Sequence, residues 1–492
     1  MNRTSNPLDS RWPALVVLCA GMLMIILDQT IVNVALPAIQ SDLGFSQSSL
    51  AWVVNAYLIP FGGLLLLAGR MGDLLGRKRV FVAGLALFTL ASLACALATS
   101  APVLVGARFV QGAAGAMTSA VILGMIVTLF AEGRERAKAI GVYSFVASAG
   151  AAIGLLLGGV LTQALSWHWI FIVNLPIGVA AGVAALRLVP SDEGSRAGEG
   201  ADVIGAALVT SGLMLGVYTI VGAAEHGWAS PRTMGLGAVA VALLAGFFAR
   251  QARAANPLLP LRILRSRQIA GANVVQGFMM AGLFGMFFLG TLYLQRVLGY
   301  DAVGIGLAFL PVAVTIGALS LGVSPRLVTR FGGRAVLLPG LGFVLLGLVL
   351  FTQVPVDGSY VADVLPSVLL LGLGAGLGFP ALMTLGMSGA TPSDSGLVSG
   401  LLNTTQQVGG ALGLAVLATL AATRSDRLLA DGSSTAAALT GGYHLAFGVG
   451  AALVAAALVL TAVVLRPAPA AATANAAGES PVAGGELRLD AA

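Results

Sequence analysis

Fourteen apolar stretches, each long enough to cross a lipid bilayer, constrain this chain more than any other feature. A membrane-spanning helix needs about 20 apolar residues. The stretches are continuously apolar and do not alternate, which excludes the strands of a membrane β-barrel. Only 9% of the residues are charged. Soluble domains contain about a quarter, so most of this protein's surface must face lipid. The stretches cover residues 13–37, 50–69, 80–98, 102–130, 140–161, 169–190, 202–222, 233–250, 269–295, 303–323, 335–353, 362–385, 400–421 and 442–466.

The basic residues predict the orientation of these spans. If both termini are cytoplasmic, 21 of the 26 Lys and Arg residues fall in cytoplasmic segments and four in outside loops, and Arg108 lies inside a span. Such an imbalance follows the positive-inside rule. We therefore expect a multi-pass protein of the plasma (inner) membrane with both termini in the cytoplasm.

Polar segments divide the chain into two halves of six spans each. Basic turns occur at the same place in both halves, as GRMGDLLGRKRVF (69–81) and SPRLVTRFGGRAVLL (324–338). This duplication is typical of transporters, whose binding site lies between the halves. The predicted units are a cytoplasmic N-terminus (1–12), a six-helix bundle (13–190), a linker (191–201), an inserted pair of helices (202–250), a basic linker (251–268), a second six-helix bundle (269–466) and a disordered cytoplasmic tail (467–492).

Asp28 is the only charged residue between Pro13 and Gln40, within LDQTIVNVALP (27–37). An ionisable group in the middle of a membrane is costly, and it usually has a function. Its carboxyl can accept either a proton or a cationic substrate, which is what a proton-coupled exporter needs. The alternative is structural: Asp28 hydrogen-bonds to a neighbour such as Asn33 or Gln111 and holds helices together.

Arg108 lies in the fourth span, within LVGARFVQGAAGA (104–116). A guanidinium there requires a partner or a water-filled cavity. Facing the same cavity as Asp28, it would tune the protonation of that carboxyl. The alternative is that Arg108 extends toward the outer surface, since it is not far from that end of the span.

The loop at 69–81 contains glycines and charged residues whose spacing is informative: Gly69, Asp73, Gly76, Arg77 and Lys78. Any cytoplasmic loop tends to be basic, so topology alone is one explanation. The spacing, however, resembles the G-x-L-a-D-r-x-G-r-k loop of the major facilitator superfamily, with Met71 and Leu74 as departures. The resemblance implies the major facilitator fold, with two six-helix bundles and, here, two additional helices. It also implies that this loop gates conformational change.

Further motifs resemble the same superfamily. Its fourth helix carries R-x-x-q-G-x-g, which Arg108 and Gln111 match, and this implies a role in proton transfer for Arg108. GAAIGLLLGGVL (150–161) resembles the antiporter motif, although Leu155 replaces its proline. Spacing alone predicts close helix packing there. The residues that match the antiporter motif are Gly150, Gly154, Gly158 and Gly159.

Three stretches resemble the fourteen-helix drug:proton antiporters within that superfamily. They are LDQTIVNVALP (27–37), WHWIFIVNLPIG (167–178), with His168 where Arg is usual, and NTTQQVGGALG (403–413). Polar and aromatic side chains within the spans are candidates for the substrate cavity, because such groups suit varied apolar ligands. The alternative is that they face lipid or the helix core. These candidates are Asn33, Asn55, Tyr57, Gln111, Gln276 and Phe284.

The leading hypothesis is an efflux transporter that exports small hydrophobic or cationic drugs, including antibiotics, in exchange for protons. A transporter of one metabolite or lipid-like molecule, uncoupled from protons, remains open because of Leu155. An integral-membrane transferase would need a cluster of His, Asp or Glu at one membrane face, and the sequence has none. We expect a monomer in contact with membrane lipids, with no catalytic residues, no cofactor, no metal and no nucleic acid. Neither Lys78 nor Lys138 follows a glycine, which excludes a nucleotide-binding P-loop.

Overall fold

The computed structural model describes residues 11–130, 133–191, 200–390 and 394–466, and within these ranges all regular structure is helical. Lipid offers the backbone no hydrogen-bond partners, so a spanning segment must satisfy its own, as a helix does. The long helices are α1 (Arg11–Leu43), α2 (Trp52–Leu75), α3 (Arg77–Ala96), α4 (Ala101–Leu129), α5 (Gly133–Ala164), α6 (Asn174–Leu188), α7 (Val203–His226), α8 (Pro231–Gln251), α9 (Arg267–Arg296), α10 (Ala302–Ala318), α11 (Gly333–Phe351), α12 (Leu365–Met387), α13 (Ser395–Ala430) and α14 (Thr435–Val463).

Each predicted span corresponds to one of these helices. In the described part of the chain, 13 helical segments are long and apolar enough to cross a membrane, and α5 contributes a shorter apolar stretch, Ala149–Ala164. The predicted all-α membrane fold is confirmed. Several helices are longer than the apolar runs: α1 ends at Leu43, and α13 covers Ser395–Ala430. A helix needs no apolar side chains to continue into water, because its hydrogen bonds are local.

Helix α10 is continued by a π-helical segment, Leu319–Val323, and a short helix, Ser324–Phe331. Two serine side chains hold this irregular segment against α12. Ser320 Oγ donates to the Gly376 carbonyl at 3.1 Å, and Ser324 Oγ donates to the Leu377 carbonyl at 3.0 Å. The interruption therefore occurs where a neighbouring helix supplies hydrogen-bond acceptors.

The first and last described residues lie at the same end of the bundle, which we call the near end; the opposite end is the far end. Arg267 donates from Nη2 to the Val463 carbonyl at 3.0 Å, which places the start of α9 beside the end of α14. Arg11 and Glu135 approach to 3.8 Å at the starts of α1 and α5. The predicted N-terminus (1–12) and tail (467–492) fall largely or wholly outside the described residues.

The helices form two bundles that meet along two seams. In the first half, α1 packs on α4, α5 and α6, while α2 and α3 pack on α4. In the second half, α9 packs on α13 and α14, α11 packs on α12 and α14, and α10 packs on α12. The halves touch where α5 meets α10 and where α2 meets α13.

The inserted pair lies outside the two bundles. Helix α7 contacts α2 and α13, so it covers one of the two seams, and α8 packs on α7. Most of α8 is open to the surroundings: Met234 is 64% exposed and Val241 is 66% exposed. The predicted linker 191–201 is described only at residues 191, 200 and 201. The basic linker 251–268 is tied to α13 by Arg262, which makes paired hydrogen bonds of 2.6 and 2.8 Å to Asp394.

Two hydrogen bonds join the halves at the far end. Gln163 Nε2, at the end of α5, donates to Asp301 Oδ2 at the start of α10 at 2.9 Å. Arg296, at the end of α9, donates to Gln40 Oε1 near the end of α1. These two contacts join α5 to α10 and α9 to α1, so the halves touch at the far end.

Candidate functional site

Asp28 and Arg108 form an ion pair inside the first half of the protein. Arg108 Nη1 lies 2.5 Å from Asp28 Oδ2. Asp28 is fully buried and Arg108 is 1% exposed. The pair joins the middle of α1 to α4. The structure therefore brings together the two residues singled out for proton coupling, and Arg108 does not extend to the surface.

Three more side chains complete the surroundings of this pair. Gln111 Nε2 and Asn174 Nδ2 donate to Asp28 Oδ1 at 2.8 and 3.2 Å. Gln111 also accepts from Arg108 Nη1 at 2.7 Å and donates to Ser92 Oγ at 2.9 Å. All three are fully buried. We call these five residues, Asp28, Ser92, Arg108, Gln111 and Asn174, the buried network; it connects α1, α3, α4 and α6.

The guanidinium of Arg108 has further neutral partners. Its Nε donates to the carbonyl of Val53 in α2 at 3.0 Å. Its Cζ atom lies 4.4 Å from the centre of the Tyr57 ring and 5.8 Å from that of Phe171. Aromatic faces attract cations, and the attraction strengthens when water is excluded. Arg108 thus keeps contacts that do not depend on the charge of Asp28.

The alternative role of Asp28 was a hydrogen bond to Asn33 or Gln111 that holds helices together. Gln111 makes such a bond to Asp28, but Asn33 does not. Asn33 Nδ2 donates to the Gln29 carbonyl of its own helix at 3.1 Å. Two residues of the network, Ser92 and Asn174, were not identified as site residues from the sequence. Asn174 carried a signal, since it is polar and lies within the quoted apolar motif WHWIFIVNLPIG. Ser92 carried none, because serine often bonds to its own helix and here also donates to the Phe88 carbonyl at 2.8 Å.

The glycines of α5 allow close contact with two neighbouring helices. A β-carbon on Gly150 would lie 2.9 Å from Leu23 of α1, and one on Gly158 would lie 2.7 Å from the Ile31 carbonyl. Gly154 likewise faces Thr30 of α1, whereas Gly159 faces α10. The predicted helix-packing role fits these contacts. With Leu155 in place of the proline, α5 runs unbroken from Gly133 to Ala164.

The loop between α2 and α3 is fixed by its own motif residues. Gly76 has φ +96°, a conformation that favours glycine, and forms the turn. Arg77 Nη2 lies 3.2 Å from Asp73 Oδ1, and Arg77 Nη1 donates to the Gly124 carbonyl of α4 at 3.2 Å. Lys78 Nζ donates to a carbonyl of α6, that of Leu186, at 2.9 Å. The loop thus ties α2 and α3 to α4 and α6, all within the first half.

The second half repeats the turn without the carboxylate. Gly332 has φ +84°, close to the value at Gly76. Thr329, at the position of Asp73, donates from Oγ1 to the Arg326 carbonyl at 2.9 Å. In the loop between α2 and α3, a β-carbon on Gly69 would meet no atom within 4 Å, so close packing does not require a glycine there.

The six candidates for a substrate cavity separate into different environments. Tyr57 and Gln111 contact the ion pair and are fully buried, and Asn55 is also fully buried. In the second half, Gln276 Nε2 donates to Gln406 Oε1 of α13 at 3.4 Å. The sixth candidate, Phe284, places its ring against Gly410 of α13.

Two helical bundles that meet along two seams, with a buried ion pair in one of them, are the architecture of a membrane transporter. Residues 18–414 match the family described as the Major Facilitator Superfamily. The chain belongs to this superfamily, as its motifs predicted.

Several relatives are named for antibiotic resistance or export. The puromycin resistance protein pur8 of Streptomyces alboniger is 39% identical over 461 residues, which cover 92% of this chain and 91% of that protein. The cephamycin export protein CmcT of Amycolatopsis lactamdurans is 39% identical, over 83% of this chain and 84% of its own length. The tetracenomycin C resistance and export protein of Streptomyces glaucescens is 35% identical, over 85% and 78%.

Solved structures support the same fold. The crystal structure of a bacterial homologue of the human lysosomal transporter Spinster, inward-facing and unoccupied, gives a TM-score of 0.65 at 16% identity, covering 92% of this chain and 96% of that one. An auto-inhibited peptide transporter of the POT family gives 0.66 at 15% identity, covering 93% and 99%. At these identities the likeness concerns the fold alone.

Proposed function

We propose that this protein exports small antibiotic-like molecules from the cell in exchange for protons, by alternating access. The observation that carries the proposal is the buried ion pair of Asp28 and Arg108. The names of the relatives support antibiotic-like substrates. The distribution of basic residues supports a cytoplasmic near end, so the conformation described here is closed toward the outside.

The buried pair links proton binding to the contact between α1 and α4. Protonation of Asp28 removes the negative charge and leaves the Arg108 cation without a counter-charge in a buried site. An unpaired buried charge is strongly unfavourable. Only neutral partners then remain for Arg108, among them Gln111 and the Val53 carbonyl. A proton on Asp28 therefore favours any arrangement of α1 and α4 that supplies Arg108 with better surroundings.

Helix α1 connects the protonation of Asp28 to the contacts at the far end. Its Gln40 accepts a hydrogen bond from Arg296 of the other half. It also packs on α5 through Gly150 and Gly158, and α5 in turn reaches α10 through Gly159. A change in the position of α1 thus acts on both contacts that seal the far end, as rocking of one bundle against the other requires.

An uncoupled transporter of a single metabolite is the second candidate. The unbroken helix α5, with Leu155 where antiporters of this kind have proline, favours it. In this alternative the buried network is structural, and transport does not respond to a proton gradient.

The two candidates differ in proteoliposomes with an acidic lumen. We expect the wild type to accumulate one or more of puromycin, cephamycin and tetracenomycin C only while the gradient persists, and to release lumenal protons as it does so. Asp28→Asn should abolish gradient-driven accumulation. Asp42→Asn is the matched control, because Asp42 lies on the same helix at its far end and accepts from Trp167 Nε1 at 2.8 Å, as an amide oxygen also can. Equal accumulation with and without the gradient, or a fully active Asp28→Asn, would contradict proton exchange.

A further inference from the structure

The far ends of α2, α7 and α8 surround a cavity of about 180 Å³. It lies between the inserted pair and the first half, apart from the buried network and from the α5–α10 seam. We call it the far-end cavity. Its wall combines an arginine and a histidine with aromatic and aliphatic side chains, among them Trp52, Tyr218, Val221, His226, Arg232 and Leu236.

Arg232 forms the charged side of the far-end cavity, and both of its hydrogen bonds go to neutral groups. Its Nη1 lies 2.7 Å from His226 Nε2, and its Nη2 donates to the Tyr218 hydroxyl at 2.9 Å. A guanidinium can only donate, so His226 Nε2 accepts and the neutral imidazole carries its proton on Nδ1, 3.1 Å from the Gly222 carbonyl. Among the described residues, no carboxylate forms an ion pair with Arg232. The positive charge is therefore available to an anion.

The same side of the cavity has hydrogen-bond donors to offer as well as charge. A guanidinium has more N–H groups than these two contacts use. The Tyr218 oxygen accepts from Arg232, so its hydroxyl proton can be donated to a ligand. Arginine binds phosphate oxygens through two parallel N–H groups, a geometry that lysine lacks. Arg232 and Tyr218 together thus suit a phosphate group.

Aromatic side chains place this cavity at the level of the lipid headgroups. Trp and Tyr concentrate where the apolar core of a bilayer meets its polar surface. The rings of Trp52 and Tyr218 lie 6.5 Å apart in the cavity wall, and Trp228, between α7 and α8, is 48% exposed. Phospholipids carry their phosphates at this level, so a phosphate is abundant beside Arg232.

The wall becomes apolar toward the middle of the membrane. Val221 and Leu236 line the cavity about one helical turn deeper than His226 and Arg232. The outer face of α8 next to it is open to lipid, with Met234 64% exposed. A molecule whose anionic group meets Arg232 can therefore extend an apolar part along the helices, as a phospholipid does.

We propose that the far-end cavity binds the phosphate group of a phospholipid, with Arg232 and Tyr218 as its donors. This gives the inserted pair a lipid-binding role that is separate from export, and it does not depend on proton coupling. In the proposed orientation the far end faces the outside, so the lipid belongs to the outer leaflet. Once bound, it links the end of α7 and the start of α8 to α2.

Native mass spectrometry of the purified full-length protein tests this, because it counts bound lipids by mass. The probes are phosphatidylglycerol and a diacylglycerol with the same acyl chains, which lacks the phosphate. We expect the wild type to bind one phosphatidylglycerol about 10-fold more tightly than the diacylglycerol, and Arg232→Gln to remove that preference, as the loss of a charged hydrogen bond should. Binding of the diacylglycerol should not change. The matched control is Arg427→Gln, an exposed arginine in the last turn of α13, which should keep the preference.

A second variant keeps the test informative if Arg232→Gln does not fold. Tyr218→Phe removes one oxygen atom and keeps the ring, and it should weaken binding of phosphatidylglycerol but not of the diacylglycerol. Glycerol phosphate, which has no acyl chains, distinguishes a lipid from a free phosphate ester and should not displace phosphatidylglycerol at equal concentration. The proposal is overturned if the wild type binds both lipids equally, if neither Arg232→Gln nor Tyr218→Phe lowers the preference, if Arg427→Gln lowers it as much, or if glycerol phosphate binds as tightly as the lipid.

Discussion

Removing the charges of Asp28 and Arg108 singly and together tests whether the buried pair behaves as one unit. Asp28→Asn keeps the size of the side chain and leaves Arg108 as a lone buried cation. Breaking a buried pair from one side costs about 3–5 kcal/mol of folding free energy. We expect a value near the lower limit, about 3 kcal/mol, because contacts to the Val53 carbonyl and the Tyr57 ring persist and a buried cation–π contact contributes about 2 kcal/mol.

The reverse variant, Arg108→Gln, leaves Asp28 charged and should cost a similar amount. The carboxylate retains only its bonds from Gln111 and Asn174. In the double variant no buried charge remains, so its cost should not exceed that of either single variant. The coupling between the two positions is then about 3 kcal/mol, the upper end of the range for residues in direct contact.

The coupling can be measured by unfolding the four proteins in mixed detergent micelles at neutral pH. The control is the exposed pair Asp73–Arg77, whose side chains are 41% and 34% exposed. Its double-mutant cycle should give less than about 1 kcal/mol, as surface ion pairs do. A coupling below about 1 kcal/mol for Asp28 and Arg108 would refute the reasoning, since two buried charges in contact must depend on each other. Recovery of gradient-driven transport in the double variant would contradict the proton-coupling role as well.

Two further predictions concern packing and pH. Gly158→Ala should lower thermal stability and transport, because its β-carbon would lie 2.7 Å from the Ile31 backbone, whereas Gly141→Ala on the same helix meets open space and should change neither. Burial raises the pKa of Asp202, but hydrogen bonds from Arg250 and neighbouring donors outweigh this and leave the pKa below its ordinary value. A lowered pKa means that Asp202 stabilises the start of α7 above about pH 4 and loses this effect as the pH falls through its folded-state pKa. Protease cleavage near α7 should therefore increase on acidification in the wild type, and Asp202→Asn should remove that pH dependence; equal acid sensitivity in both would contradict it.

The membrane fold could be predicted because lipid imposes a strong rule on sequence. Each span requires a long apolar run, and a charge inside such a run stands out, as Asp28 and Arg108 do. The sequence could not show that these two residues touch, because α1 and α4 are far apart along the chain. The sequence also could not show which asparagine contacts the ion pair. Asn33 and Asn174 both lie in apolar motifs, but the side chain of Asn33 bonds to its own helix whereas that of Asn174 donates to Asp28.

The irregular continuation of α10 could not be predicted from the sequence either. Residues 319–323 have the sequence LSLGV, and nothing in it signals a π-helical segment. The cause lies in α12, whose carbonyls accept hydrogen bonds from Ser320 and Ser324. The glycine spacing of α5 predicted that a partner helix packs closely there, but the sequence did not show which helix it is or where a partner's carbonyls accept hydrogen bonds.

The two seams between the halves differ in a way that bears on movement. At the α5–α10 seam, glycine meets backbone: a β-carbon on Gly159 would lie 2.7 Å from the Ala302 carbonyl, and one on Gly306 would lie 2.6 Å from that of Leu155. These contacts involve backbone atoms, and the hydrogen bond of Gln163 to Asp301 lies at the far end of the seam, so the rest of the seam can slide or separate at little cost. The α2–α13 seam instead places Thr404 and Gln407 against Gly62 and is covered by α7. We therefore expect the halves to part at the α5–α10 side, with the contacts of Gln40 to Arg296 and of Gln163 to Asp301 released, while α7 shields the α2–α13 seam from lipid.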